Sequence, residues 1–230
     1  MQGQVGRLLE EPRRDARHVS RGSLEPAEHF ETLAQQERAT HLGMWLFLTS
    51  EVLLFGALFG LYTGYRLEYR EAFSQAVHHN NIAIGTINTA VLVTSSFSAA
   101  WAVHSARRGS RRGILVSLGV TLLLGLGFLA LKAIEYLEHF AAGIYPGALY
   151  RSEELPGHGA NLFFTLYFFL TGLHALHVVG GLTALAILAL LAARGRHTPE
   201  RHTSLELGVL YWHLVDVIWI FVWPLMYLQK

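Results

Sequence analysis

Apolar residues in this chain fill runs of 20 or more, broken by short polar segments, rather than alternating or marking one stripe of a surface helix. Five runs stand out, at about 41–65, 82–103, 113–140, 161–193 and 205–228. Each is long enough to cross about 30 Å of hydrocarbon as a helix. A lipid-exposed backbone must satisfy its own hydrogen bonds, so such runs read as α-helices. The pattern predicts an all-α polytopic membrane protein with five transmembrane helices in a bundle. The second run, with NTAVLVTSSFSAA, is rich in Ser, Thr and Ala, which suits a helix packed closely against neighbours. The fourth exceeds a straight crossing and is expected to tilt or project.

The polar segments set the organisation. Residues 1–40 carry many charges and no apolar core, so they are read as a cytoplasmic tail, helical from Glu25 onward, ahead of a five-helix domain over 41–230. Glu10, Glu11, Asp15, Glu25 and Glu28 argue against an organellar transit peptide, which is poor in acids. Gly109 among arginines marks a tight turn, and Pro146, Pro156 and Gly157 punctuate a longer loop. Near the membrane ends, Arg21, Arg38, Arg107, Arg108, Arg111, Arg112, Arg194, Arg196 and Arg201 fall on one side and Arg66, Arg70, Arg151 and Lys230 on the other. The positive-inside rule then puts the N-terminus in the cytoplasm and the C-terminus outside.

Composition adds two limits. Hydrophobic residues make up 52% and charged ones 15%, which fits a membrane protein. There is no cysteine, which removes disulfides, thiolate metal sites, iron–sulfur clusters and cysteine nucleophiles. No basic stripe with interleaved aromatics suggests nucleic acid.

Ionisable residues inside the runs are the candidates for chemistry, since polar groups at bilayer depth are costly and usually face protein. Glu51 stands near the middle of the first run among Leu, Phe and Val, surroundings that penalise an anion. It is either a proton-exchanging carboxyl or a hydrogen-bonding group that fixes helix packing. His174 and His177 lie one turn apart in TGLHALHVVGG. They could share a metal, but the Glu-x-x-His partner of a di-iron bundle is missing, and Glu135, Glu138 and His139 fall nearer the outer end of the third run. Interhelical hydrogen bonding is therefore expected of both histidines. Lys132 and Glu135, spaced i,i+3, are expected to neutralise each other. In the last run Trp212, His213 and Asp216 sit within YWHLVDVIW, and the i,i+3 spacing places His213 and Asp216 on one face, the carboxylate orienting the imidazole. Gly180 and Ala184 fit a small-xxx-small contact, and aromatics near the outer end of the fifth helix, Tyr227 among them, suit an interfacial belt.

Five blocks together resemble one family, the cytochrome c oxidase subunit III group of the haem-copper oxidases, in a bacterial five-helix form lacking the first two helices of the seven-helix version. They are HLGMWLFLTSEVLLF with Glu51, INTAVLVTSS with Asn88, Thr89, Ser95 and Ser96, KAIEYLEH with Glu135 and Tyr136, FFLTGLHALHVVGG with His174 and His177, and YWHLVDVIW with Tyr211, Trp212, His213 and Asp216. They occur in the family's order. The resemblance implies a bundle binding no haem, copper or other metal, docked on the catalytic subunit I beside subunit II, in the plasma membrane of a bacterium. It also implies phospholipid held between helices and support for proton uptake and for the durability of the catalytic centre. Glu51 matches the family's buried, carbodiimide-reactive glutamate. Lys132 stands where many relatives have Gln, and nothing transfers to the arginine-rich tail. A quinol oxidase subunit, or one associated with nitric oxide reduction, is the near alternative. An independent His and carboxylate metalloenzyme and a proton-conducting channel are the distant ones. A transporter is expected to show broken helices or a repeated half, and neither is visible.

Overall fold

The computed structural model describes residues 32–195 and 202–229. Expectations for residues 1–31, including a helix from Glu25, and for Arg21, Arg196, Arg201 and Lys230 lie outside the described residues. Within them the chain forms α1 (Leu33–Glu68), α2 (Arg70–His79), α3 (Ile82–Arg107), α4 (Arg111–Ala141), α5 (His158–Ala193) and α6 (Thr203–Tyr227). One short 3-10 turn, Gly147–Leu149, lies in the α4–α5 loop. No strand occurs among the described residues. Five of the helices, all but α2, are long and apolar enough to cross a membrane. The chain is an all-α, multi-pass membrane protein whose five runs lie where the hydrophobic pattern placed them.

The connections follow from local chemistry. At Gly109 the backbone turns with φ of 68°, and Ser110 caps α4 by accepting from Gly113 N–H at 3.2 Å. Asn81 caps α3 by accepting from Ala83 N–H at 3.0 Å and Ile84 N–H at 3.2 Å. Its position between α2 and α3 lets the short second helix fold back. That helix is the one element the hydrophobic runs did not reveal, because α2 has only a narrow apolar stripe. Phe73, Ala76 and Val77, spaced i, i+3, i+4, are its buried residues.

The helices pack as a close set and an outlier. α3 and α4 approach along small residues, with Ser98 donating to Ser117 O at 2.7 Å and Ala99, Ala102 and Ala106 buried. Gly125 on α4 and Gly181 on α5 form a slot for the indole of Trp212 on α6. A Cβ on Gly181 would stand 2.7 Å from Trp212 Cε3, and one on Gly125 2.9 Å from its Cη2. The close approach on α5 thus falls at Gly181; a Cβ on Gly180, the predicted position, would meet only the Tyr211 hydroxyl at 3.6 Å. By contrast, Cα atoms of α1 stay more than 8 Å from those of α5 and α6. Only 11% of the spanning window of α1 is buried inside the chain, against 28–44% for the other four.

Candidate functional site

Two polar centres and one polar seam lie within the apolar helices. The first centre joins α1 to α5. His177 Nδ1 lies 2.9 Å from the carbonyl of Leu173, one turn back on its own helix. A carbonyl can only accept, so Nδ1 carries a hydrogen. The other nitrogen, Nε2, is 2.8 Å from Glu51 Oε2. Either a protonated Glu51 donates to Nε2, or an imidazolium donates to a carboxylate. One shared proton satisfies both groups, in either place. Phe55 sets its ring edge-on to His177 at 5.2 Å, and Tyr211 donates to the His177 carbonyl at 3.2 Å. Aromatic side chains therefore flank a pair that a single proton joins across two helices.

The second centre lies deeper in the bundle. The Lys132 ammonium is 2.9 Å from Glu135 Oε2, 2.9 Å from the Tyr167 hydroxyl and 3.0 Å from the Tyr227 hydroxyl. These three partners take up its three N–H groups. Tyr227 in turn donates to Glu135 Oε1 at 2.6 Å. Lys132 is 4% exposed and Glu135 1%, so the pair depends on mutual compensation. The network continues outward. His139 Nε2 meets Asn80 Oδ1 at 2.9 Å, and the Asn80 amide donates to Met226 O at 2.8 Å. Tyr62 donates to Leu225 O at 2.8 Å, so two carbonyls left open at the end of α6 are capped from α1 and from the α2–α3 junction.

The seam runs between α3 and α6. Trp212 Nε1 donates to Ser95 at 3.0 Å, Trp219 Nε1 donates to Thr89 at 3.1 Å, and His213 Nδ1 lies 2.5 Å from the Ser96 hydroxyl. Outside the spans, in the α4–α5 loop, burial pushes the Tyr150 phenol above its ordinary value, and its hydroxyl donates to Leu155 O at 2.8 Å.

The structure brings some predicted residues together and separates others. Lys132 and Glu135 pair as the spacing suggested. His177 bonds between helices. His174 does not, for its ring is wedged between Phe128 at 5.6 Å and Trp219 at 5.1 Å, with neither nitrogen hydrogen-bonded within the chain. His213 and Asp216 share a helix face without pairing, because His213 turns to Ser96 on α3, and neither carboxyl oxygen of Asp216 makes a hydrogen bond within the chain. Tyr227 is buried at the core of the second centre rather than placed in an interfacial belt. Glu51 gains a basic neighbour from another helix, His177. Asn80, Tyr62, Tyr167 and Tyr227 as network partners were not foreseen. The only local signal was the burial demand of a Lys–Glu pair, which requires further donors and acceptors from somewhere. Among the described residues no three His, Asp or Glu side chains converge as metal ligands.

Comparison with known proteins decides the lineage. Residues 17–229 match the family described as cytochrome c oxidase subunit III. The chain belongs to that family. Among its relatives, the quinol oxidase subunit 3 of Bacillus spizizenii is 34% identical over 90% of this chain and 98% of its own length. The cytochrome c oxidase subunit 3 of Cyprinus carpio is 33% identical over 83% of this chain and 70% of its own length, and that of Gallus gallus 31% over 92% and 76%. This subunit III is therefore part of a haem-copper terminal oxidase and associates with the other subunits of such a complex. The two polar centres are to be understood as features of a subunit embedded among others, not of a free-standing enzyme.

Proposed function

We propose that this chain is an accessory subunit of a proton-pumping cytochrome c oxidase in a bacterial plasma membrane. It docks directly on subunit I beside subunit II, with haem and copper held by those partners. Its own task is to hold phospholipid, to support proton uptake and to prolong the working life of the catalytic centre. The N-terminus faces the cytoplasm and the C-terminus the outside. One observation carries the accessory reading: two of the carboxyls of the spans, Glu51 and Glu135, are each engaged by a basic partner of the same chain, His177 and Lys132, rather than gathered toward an open coordination site. A group bonded on each side by its own chain is poised to stabilise packing or to pass a proton, not to ligate an electron-transfer centre. The quinol-oxidase reading has one observation in its favour. The Bacillus relative is matched over 98% of its length, whereas the carp cytochrome c oxidase subunit is matched over 70%.

Purifying the native complex and identifying its other chains by mass spectrometry, then measuring oxygen consumption with reduced cytochrome c and with a quinol, separates these readings. Removal of this chain is expected to leave the haem and copper spectrum and the initial turnover unchanged while activity decays faster during sustained catalysis. Loss of a metal signal in proportion to the missing chain overturns the accessory role, and turnover with quinol alone overturns the donor.

A further inference from the structure

The interior of the bundle holds polar groups that neither polar centre nor the seam employs. Asn88 on α3, His174 on α5 and Asp216 on α6 are 0%, 0% and 3% exposed, and both polar side-chain atoms of each lack a hydrogen bond within the chain. The Nε1–H of Trp223 on α6 is in the same position. All four gather about one side chain, Trp219. Its ring lies 5.1 Å from that of His174, and its Nε1 donates to Thr89, the residue after Asn88. Asp216 stands three residues before it and Trp223 four residues after it, each one turn away on α6. A Cβ on Gly85, one turn from Asn88, would lie 3.0 Å from Trp223 Nε1. The four groups therefore occupy adjoining turns of three packed helices.

Buried polar groups are costly when unpaired and are nearly always satisfied in folded proteins. Here the hydrogens of the neighbouring hydroxyls are already spent. Thr89 donates to Gly85 O at 2.9 Å, Ser95 to Leu92 O at 2.7 Å and Thr171 to Tyr167 O at 2.6 Å, and each hydroxyl has only one hydrogen to give. The indoles of Trp219 and Trp212 give theirs to Thr89 and Ser95, and the Ser96 hydroxyl is held by His213. Nor does the partner come from outside. The chain itself covers every one of these atoms, so a lipid or a neighbouring subunit touches none of them. The carbonyl oxygen of Asn88 needs a donor, its amide and the Trp223 N–H need acceptors, and a neutral His174 needs one of each. A metal ion cannot accept a hydrogen from an indole. Water both gives and takes, and it is small enough to sit between helices.

We propose that the α3–α6 bundle binds ordered water around Trp219, about two or three molecules making about three bonds each, held by Asn88, His174, Asp216 and the Trp223 N–H. The site lies between the two polar centres: His174 is one turn of α5 from His177, and the Lys132 ammonium is 5.4 Å from the Trp219 ring. The water belongs to the packing of α3, α5 and α6, as the Trp212 indole does in its slot. It rests on the fold of this chain and not on which electron donor its oxidase uses.

Radiolytic hydroxyl-radical footprinting of the intact complex tests the assignment, because radicals formed from a bound water modify the side chains beside it even where bulk solvent does not reach. Phe128, fully buried against His174 and Trp219, is expected to be labelled, whereas the equally buried Phe163, packed on Tyr62 and Phe73, is not. The variant Asn88→Leu/His174→Phe/Asp216→Leu puts apolar groups of similar size in place of three of the holders. It is expected to lose the Phe128 label and to keep that of the exposed loop residue Leu149. If this variant fails to assemble, the unaltered complex decides. Electron cryomicroscopy at a resolution that shows water is expected to place isolated peaks about 2.7–3.2 Å from the Asn88, His174 and Asp216 side chains. Phe128 labelled no more than Phe163, a label that survives the variant, a map in which these side chains bond directly to protein groups, or a peak about 2.1 Å from an imidazole nitrogen, the distance of a metal, each overturns it.

Discussion

The α3–α6 bundle and the first helix solve the same problem by different means. In lipid there is little hydrophobic drive for one apolar helix to leave hydrocarbon for another, so association rests on close packing and hydrogen bonds. The bundle uses both. Its glycines at 125 and 181 admit Trp212, and its interior holds the Lys132–Glu135 pair with two tyrosines. The first helix has neither close backbone approach nor a buried ion pair. It is tied by long side chains: Glu51 to His177, Tyr62 to the end of α6, and aromatic contacts such as Phe59 with Phe221 at 6.3 Å. The difference teaches that the spans fall into a closely packed group and a sparsely packed one, and that the Glu51–His177 pair lies on the boundary between them.

The largest effect is expected at the ion pair. Removing one partner by Lys132→Met or Glu135→Leu strands the other charge in a buried site and is expected to cost about 3–5 kcal/mol, read as loss of folded protein in detergent titration. The double variant Lys132→Met/Glu135→Leu should recover most of that loss. If the single variants are as stable as the parent, the centre does not hold the bundle.

Next comes the Trp212 slot. Gly181→Val drives two methyls against the indole, and overpacking of this kind is expected to cost about 1–3 kcal/mol. The same substitution at Gly56 on α1, where an added Cβ meets nothing within 4 Å, should be close to neutral. Equal losses at the two glycines erase the distinction between bundle and outlier.

A smaller effect is expected at the boundary. Glu51→Gln keeps a hydrogen-bonding group opposite His177, so unfolding should shift by about 0.6 kcal/mol, the average for such bonds in membranes. Labelling by a hydrophobic carbodiimide should nevertheless disappear, because the only carboxyl at that depth of α1 is gone. Persistent labelling identifies another carboxyl as the reactive one. A change of similar size is expected of Tyr62→Phe, which opens one carbonyl of α6 at a cost of about 0.5–1.5 kcal/mol. Hydrogen exchange of the last turn of α6 and of α1 should quicken while that of α3 and α4 stays as it was.

Much of this protein is legible in one dimension. The spans follow from run length alone, since roughly 20 apolar residues have only one way to satisfy their backbone in lipid. The Lys132–Glu135 pair follows from i,i+3 spacing, because both partners sit on one helix and their distance is fixed by helical geometry. The same rule failed for His213 and Asp216, where spacing placed the side chains on one face but a serine on α3 drew the imidazole away. The helix α2 was hidden because its apolar stripe is three residues wide and carries no run.

Sequence by itself thus determined the number of spans, their approximate positions, the absence of cysteine chemistry and the within-helix pair, all of which depend on composition, local geometry and transfer into lipid. Only the tertiary structure decided that His177 belongs to Glu51 while His174 belongs to Phe128 and Trp219, that Tyr167 and Tyr227 complete the shell of Lys132, and that Asn80 and Tyr62 close the end of α6. These partners lie 35 to 163 residues apart along the chain. Helix rotation and register, which no local period encodes, fix which of many polar side chains face one another, and the cost of an unpaired polar group in hydrocarbon then selects the pairs that form.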